Sequence, residues 1–123
     1  MDKTNYAKTI IEEYNLGKRY FVDLDLYEES FDGENLEGII FDHCFLYSSF
    51  RKTNLRNSKF INGNIKTCDF SEADLTNSHF ENVSIESAHF KDSITDGIFF
   101  DNNWCYGKLI KQVDFNSIKN EIP

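Results

Sequence analysis

Residues 66–90 read KTCDFSEADLTNSHFENVSIESAHF, and a large apolar residue stands at every fifth position of this stretch. The same spacing extends outward in both directions, from Phe21 to Phe100, with phenylalanine and an aliphatic residue in alternation. It has two irregularities: the step from Leu46 to Phe50 is four residues instead of five, and Thr95 stands at an apolar position. This spacing, rather than the overall composition, predicts the fold.

A five-residue period fits neither an α-helix nor a flat β-strand. Short fixed periods instead indicate a solenoid, in which each unit buries its apolar face against its neighbours. If each unit forms one side of a coil, four units close a square turn of about 20 residues, whose stacked copies lie about 4.8 Å apart. Four-sided closure keeps phenylalanine and aliphatic residues in separate columns, whereas three-sided closure mixes them. The predicted core comprises Phe50, Leu55, Phe60, Ile65, Phe70, Leu75, Phe80, Ile85 and Phe90.

A second column, two residues before each core position, is mostly small from Cys44 onward. With the core column it produces motifs such as ADLTN at residues 73–77, TNLRN at residues 53–57 and CDFSE at residues 68–72. These motifs resemble the A(D/N)LXX unit of the pentapeptide-repeat family, and the resemblance covers roughly residues 14–102. It implies an all-β solenoid, a right-handed quadrilateral β-helix of about four coils, in a bacterial protein.

The chain is predicted to form one domain with three parts. Residues 1–20 are a capping helix, helical over residues 2–16, with Asp2 or Thr4 as the N-cap and Gly17 as the stop. Residues 21–102 are the β-helix, whose first coil lacks small residues in the second column and is therefore distorted or covered by the helix. Residues 103–123 are an irregular or helical cap. The apolar residues expected to close that end are Trp104, Tyr106, Leu109, Ile110, Val113, Phe115 and Ile118.

The net charge of −8 is distributed unevenly along the chain. Residues 23–42 contain eight acids and no Lys or Arg, whereas residues 51–66 are basic. Stacking by one coil predicts ion pairs of Asp32 with Arg51 and of Glu37 with Arg56, which leaves an excess of negative charge. That excess is the predicted interaction surface, with the residues Asp23, Asp25, Glu28, Glu29, Asp32, Glu34, Glu37 and Asp42.

No constellation of residues in the sequence predicts catalysis, a cofactor or a metal ion. His79 and His89 fall on opposite sides of the coil, and His43 lies two sides from His89. The three cannot share one metal ion and are expected to be surface residues. Four serines lie in the inward column without a positioned histidine beside them, namely Ser48, Ser58, Ser78 and Ser93. The three cysteines match no metal or disulfide spacing and are expected to be reduced and structural. They are Cys44, Cys68 and Cys105.

The sequence therefore predicts a protein that is not an enzyme, has no cofactor, and is located in the cytoplasm. The leading hypothesis is a rigid scaffold for a protein partner, monomeric or an end-to-end homodimer, with no direct contact to nucleic acid or membrane. The resemblance implies an alternative, an acidic mimic of duplex DNA that binds DNA gyrase or another topoisomerase and modulates it or protects it from quinolones. A height of about 20 Å is short for such a mimic. The absence of long loop insertions and the basic stretch also count against it.

Overall fold

The structure, a computed structural model, describes residues 6–123 and consists of a helix, a four-sided β-solenoid of about four turns and a C-terminal cap. The helix α1 spans Tyr6–Asn15. One side of the solenoid is a sheet of five short parallel strands: β1 (Tyr20–Val22), β2 (Ile40–Asp42), β3 (Lys59–Ile61), β4 (His79–Glu81) and β5 (Phe99–Asp101). The cap contains β6 (Asn103–Cys105), β7 (Lys108–Ile110), a 3₁₀ turn (Gln112–Asp114) and α2 (Phe115–Ile118).

The predicted square closure is confirmed by the pairing between coils. In the sheet, Phe21, Phe41, Phe60, Phe80 and Phe100 lie directly over one another. Isolated parallel bridges hold the other three sides, for example Ser49 with Asp69, Asn54 with Asp74, and Asn64 with Ser84. We number the sides by their core columns: the first by Phe50 and Phe70, the second by Leu55 and Leu75, the third by Phe60 and Phe80, the fourth by Ile65 and Ile85.

Each corner contains a residue in the left-handed backbone region, two positions after the core residue. Examples are Asn57 (φ 59°), Asn77 (φ 57°) and Gly38 (φ 75°), residue types that adopt this conformation at low cost. The short step after Leu46 lacks such a residue, because Ser48 follows two positions later and is itself buried in the small column. The four-residue step therefore lacks the corner residue in the left-handed region. The core residues before and after this step still stack in the same columns.

Phenylalanine rings fill the interior completely. Phe70 is fully buried, and its ring stacks on Phe50 and Phe90 with centroids 5.3 Å and 5.2 Å away. It also meets Phe60 and Phe80 edge to face, at 5.3 Å and 5.5 Å. All nine predicted core residues are at most 2% exposed, so the coil encloses packed side chains and no tunnel.

Helix α1 lies across the open end of the first coil and buries Ala7, Ile10 and Tyr14. The Ala7 N–H donates to a Glu29 carboxylate oxygen at 2.8 Å, and the Tyr14 hydroxyl donates to the Glu37 carbonyl at 2.7 Å. A carboxylate at a helix N-terminus satisfies an otherwise unpaired N–H group and complements the helix dipole. The first coil is thus covered by the helix. The two N-cap residues proposed from the sequence lie outside the described residues.

The C-terminal cap is more ordered than predicted, because it begins with the antiparallel hairpin of β6 and β7. Tyr106 and Gly107 join the strands, both with positive φ, as a tight two-residue hairpin turn requires. Phe115 then closes the core, with its ring 4.4 Å from that of Phe100. The Phe100 N–H, which has no further coil below it, donates to the Gln112 side-chain oxygen at 2.6 Å.

The predicted set of cap residues is only partly right. Ile110 and Phe115 are buried, and Leu109 and Ile118 are half-buried. The prediction is wrong for three residues that point outward, Trp104, Tyr106 and Val113. Trp104 and Tyr106 flank the buried Cys105, because the fourth side continues past the last full coil and β6 alternates in and out. Val113 lies in the 3₁₀ turn, which buries none of its residues.

Candidate interaction surface

The eight acids nominated from the sequence encircle the first coil and the start of the second. Three of them lie away from the rest: Asp23 and Asp42 beside the third side, and Glu37 on the second side. The other five gather where the fourth and first sides meet beneath α1, and they line adjoining grooves. We call this group the acidic corner; it comprises Asp25, Glu28, Glu29, Asp32 and Glu34.

Four of the eight acids hold the backbone or a neighbouring side chain in place. Glu37 accepts a hydrogen bond from the Asn54 side-chain amide at 3.4 Å. Glu29 binds the first turn of α1, as described above. Asp32 accepts hydrogen bonds from the Ser49 hydroxyl at 2.6 Å and from the Arg51 backbone N–H at 2.9 Å. Asp42 accepts one from the Tyr20 hydroxyl at 2.6 Å, which lowers the pKa of Asp42 below its usual value. Glu28 and Glu34, in contrast, are available to a partner.

The predicted pairing of Asp32 with Arg51 and of Glu37 with Arg56 is wrong. Arg51 reaches forward to the next coil, with its guanidinium 3.3 Å from Asp69 and 3.6 Å from Glu72. The equivalent pair of Arg56 and Asp74 is 3.2 Å apart. The Asp32 carboxylate is already engaged by Ser49 and by a backbone N–H group, whereas the acids of the third coil face the arginine side chains.

Both arginines of the basic stretch are therefore paired with acids that follow it, and not with the acids of the first coil. Lys66 continues the pattern, with its ammonium 3.7 Å from the Glu86 carboxylate. Within residues 6–123, none of the eight nominated acids forms an ion pair with a Lys or Arg. The ring of His43 lies 2.7 Å from the Asp42 carboxylate. The negative charge of the first coil is therefore not balanced by ion pairs with the described Lys and Arg residues.

The acidic corner is concave. A groove of about 490 Å³ separates α1 from the first coil. Its walls carry Glu28 and Glu34 from the coil, and Glu12 and Lys8 from the helix. The groove exists because the first coil has Glu29 and Glu34 where later coils have small residues, so the helix is held above the coil.

Two tyrosines beside the acidic corner were not singled out by the sequence analysis. Tyr27 and Tyr47 directly follow the fourth-side core residues, and with Glu28 and Thr67 they line a second groove of about 380 Å³. The signal was present in the sequence, because residues next to a core column point outward. The repeat pattern that predicts the coil involves only the inward-facing residues, so it does not distinguish these two tyrosines.

The histidines and serines form no reactive group. His43 and His89 are exposed, and the His79 ring stacks on Phe99 at 4.2 Å and contacts Glu81 at 3.0 Å. In the part of the chain that the structure describes, no three His, Cys, Asp or Glu side chains are grouped so that they could hold a metal ion. Ser48, Ser58 and Ser78 are buried in the small column, and Ser93 is half-buried.

All three cysteines are buried free thiols. Burial raises the pKa of Cys68 to about 12, so its thiol is protonated at neutral pH. Burial also raises the pKa values of Cys44 and Cys105. A protonated, inaccessible thiol is a poor nucleophile and a poor metal ligand.

No helix among the described residues is long and apolar enough to cross a membrane.

Comparison with known proteins agrees with the fold and the repeat. The family model described as "Pentapeptide repeat region" matches residues 34–107. The chain belongs to the pentapeptide-repeat family. No curated protein matches the sequence.

Several solved structures of pentapeptide-repeat proteins are similar to the chain. HetL from the cyanobacterium Nostoc sp. strain PCC 7120, a protein involved in heterocyst differentiation regulation, is 25% identical with a TM-score of 0.45. The match covers 76% of this chain and 38% of HetL, so the chain spans well under half of that protein. The protein alr5209 from Nostoc PCC 7120 is 19% identical over 94% of both chains, with a TM-score of 0.48. Rfr23 from Cyanothece 51142 is 11% identical over 83% of this chain and 98% of Rfr23, with a TM-score of 0.37.

Proposed function

We propose that the chain is a non-enzymatic interaction module whose acidic corner binds a positively charged surface of a partner protein. The observation that carries the proposal is the pairing pattern: the basic residues Arg51, Arg56 and Lys66 are neutralised within the chain, and the acids of the first coil are not. Charge left unpaired at a protein surface steers and selects oppositely charged partners.

The coil suits this role because it is rigid. Its backbone ladder and stacked rings fix every outward position, so a partner meets a preformed surface and little ordering entropy opposes binding. The absence of a basic face disfavours nucleic acid as a direct partner, and nothing in the surface favours a membrane.

The experiment is affinity capture from the source cells, followed by identification of the retained proteins. The bait is compared with a corner variant in which isosteric amides remove three charges from acids without structural bonds. The substitutions are Asp25→Asn, Glu28→Gln and Glu34→Gln.

A matched end variant removes three charges from the opposite end of the chain, where the side chains also have no structural bonds. The substitutions are Asp92→Asn, Asp96→Asn and Glu121→Gln. We expect a basic protein that is retained by the wild type and the end variant and lost by the corner variant. Retention of the same proteins by all three baits would refute the role of the corner.

The second candidate function is mimicry of duplex DNA toward DNA gyrase or another topoisomerase. The internal neutralisation of Arg51 and Arg56 favours it, because the basic stretch interrupts the negative surface less than its sequence suggests. An end-to-end homodimer would supply the length that a single chain lacks. A gyrase supercoiling assay with and without a fluoroquinolone tests this candidate. Inhibition or drug protection that the corner variant loses supports it, and no effect across the titration excludes it.

A further inference from the structure

Most of the exposed aromatic residues of the coil lie on its fourth side, whereas the third side has two, Tyr20 and Phe99. Beside the core columns of the first and second sides, no outward position holds Phe, Tyr or Trp. The corresponding positions of the fourth side hold five: Tyr27, Phe45, Tyr47, Trp104 and Tyr106. Four of these are at least 41% exposed, and Tyr47 is half-buried. A concentration of exposed aromatic rings on one face marks a binding surface.

Two of these rings adjoin the acidic corner. The Glu28 N–H donates to the Tyr47 carbonyl at 2.8 Å, which places Tyr47 in the coil directly below Tyr27 and Glu28. Phe45 supports Tyr47 from behind, with ring centroids 6.4 Å apart. Tyr27 is 72% exposed. The groove of about 380 Å³ between the tyrosines thus has aromatic walls and a carboxylate at its edge.

Among residues 6–123, none that lines this groove is a Lys or Arg. Its lining residues are Tyr27, Glu28, Tyr47 and Thr67, and the neighbouring Lys66 is turned toward Glu86. Elsewhere the chain does fill an aromatic face with a cation, because the Arg19 guanidinium lies 3.8 Å from the centre of the Tyr14 ring. Within the described residues, no cation lies over the ring of Tyr27 or Tyr47 in this way.

The chemistry of these walls selects an arginine. A guanidinium is planar, stacks on aromatic rings and forms two parallel hydrogen bonds to a carboxylate, whereas a lysine ammonium does neither as well. We infer that the groove between Tyr27 and Tyr47 receives an arginine side chain from a basic segment of the partner protein, with Glu28 as its counter-ion. This inference rests on the proposed function and identifies where on the acidic corner the partner is anchored.

The test is an NMR titration of the ¹⁵N-labelled protein with a short arginine-rich peptide. The matched control peptide has citrulline in place of each arginine, which keeps the shape and removes the charge. We expect the arginine peptide to shift the amide signals of Glu28, Tyr47 and Thr67, and the citrulline peptide to leave them in place. A lysine-rich peptide of equal charge should bind several-fold more weakly.

Two tyrosine variants separate the groove from general charge attraction. Tyr27→Ser removes a side chain that makes no hydrogen bond, so the fold should be unchanged, and it should weaken arginine-peptide binding about three- to tenfold. Tyr106→Ser removes a similarly exposed ring at the far end of the same side and should have no effect.

The outcomes distinguish this inference from the proposed function. If Tyr27→Ser binds as tightly as the wild type while the corner variant does not, charge alone recruits the peptide; the arginine site is then refuted and the proposed function stands. Equal binding of the citrulline peptide, or signal shifts confined to another side, would also refute the site. If the corner variant and Tyr27→Ser both bind like the wild type, both proposals fail.

Discussion

Replacing Phe70 by alanine tests whether stacked rings hold the solenoid together. The Phe70 side chain is fully buried, and the centroids of four neighbouring phenylalanine rings lie 5.2 Å to 5.5 Å from the centroid of its own ring. Phe→Ala substitutions in cores cost about 3–5 kcal/mol, and more where the site cannot collapse. Here the ladder fixes the backbone on all four sides, so we expect the upper end, about 4–5 kcal/mol of the free energy of unfolding.

The assay is urea unfolding, followed by circular dichroism and by tryptophan fluorescence. For a slope of about 2 kcal/mol per molar urea, the midpoint should fall by about 2 M. Phe99→Ala is the matched control, because the Phe99 side chain points outward from β5 and is 38% exposed. It should cost about 1 kcal/mol or less, since only its stacking on His79 is lost. If Phe70→Ala costs no more than Phe99→Ala, the rings do not stabilise the coil and the reasoning fails.

Three further predictions concern the backbone and the thiols. Gly63→Ala should destabilise the protein by about 2 kcal/mol or more in the same assay, because a Cβ atom there would collide with backbone atoms of Cys44, one coil above. Gly33→Ala is the control, because its Cβ atom would meet nothing within 4 Å. Gly33 has a positive φ of 73°, so this substitution should cost only about 1 kcal/mol. Thr67→Asn should raise the thermal midpoint by a few degrees, about 0.5–1 kcal/mol, because Thr67 is β-branched and has a φ of 59°; an unchanged or lower midpoint would contradict this. The pKa of Cys68 is raised to about 12 in the folded state. The contribution of this thiol to stability is therefore complete below the pKa of the unfolded thiol, near 9, and is lost as the pH rises toward 12. Cys68→Ala should flatten this alkaline decline in urea midpoints measured from pH 8 to 11, and an identical decline in the variant would refute the prediction.

The coil could be predicted from the sequence because its period is visible in the residues that face inward. Phe60 and Phe80 occupy equivalent positions in adjacent coils, a register that neither an α-helix nor a flat strand produces. The four-residue step from Leu46 to Phe50 could also be interpreted from the sequence. Each core column contains one residue type only if this step counts as a whole repeat unit.

The surface could be predicted only in part, because outward side chains choose among several neighbours. Asp32 and Asp69 lie above and below Arg51, and the sequence alone does not say which of them the guanidinium reaches. The hydrophobicity of Trp104 suggests a buried cap residue. Its position in the repeat, directly before the buried Cys105 of the fourth side, instead places it on the outside. The groove beneath α1 depends on how a helix sits on the first coil, which no periodicity encodes.

The most direct test of the proposed interaction is the affinity of a captured partner for the wild type, the corner variant and the end variant at low and high salt. We expect the corner variant to bind about tenfold more weakly or worse at low salt, and the end variant to bind within about twofold of the wild type. Raising the salt should weaken the wild type more than the corner variant, because screening acts on the charges that the variant lacks. Equal affinities for all three proteins at both salt concentrations would contradict the proposal.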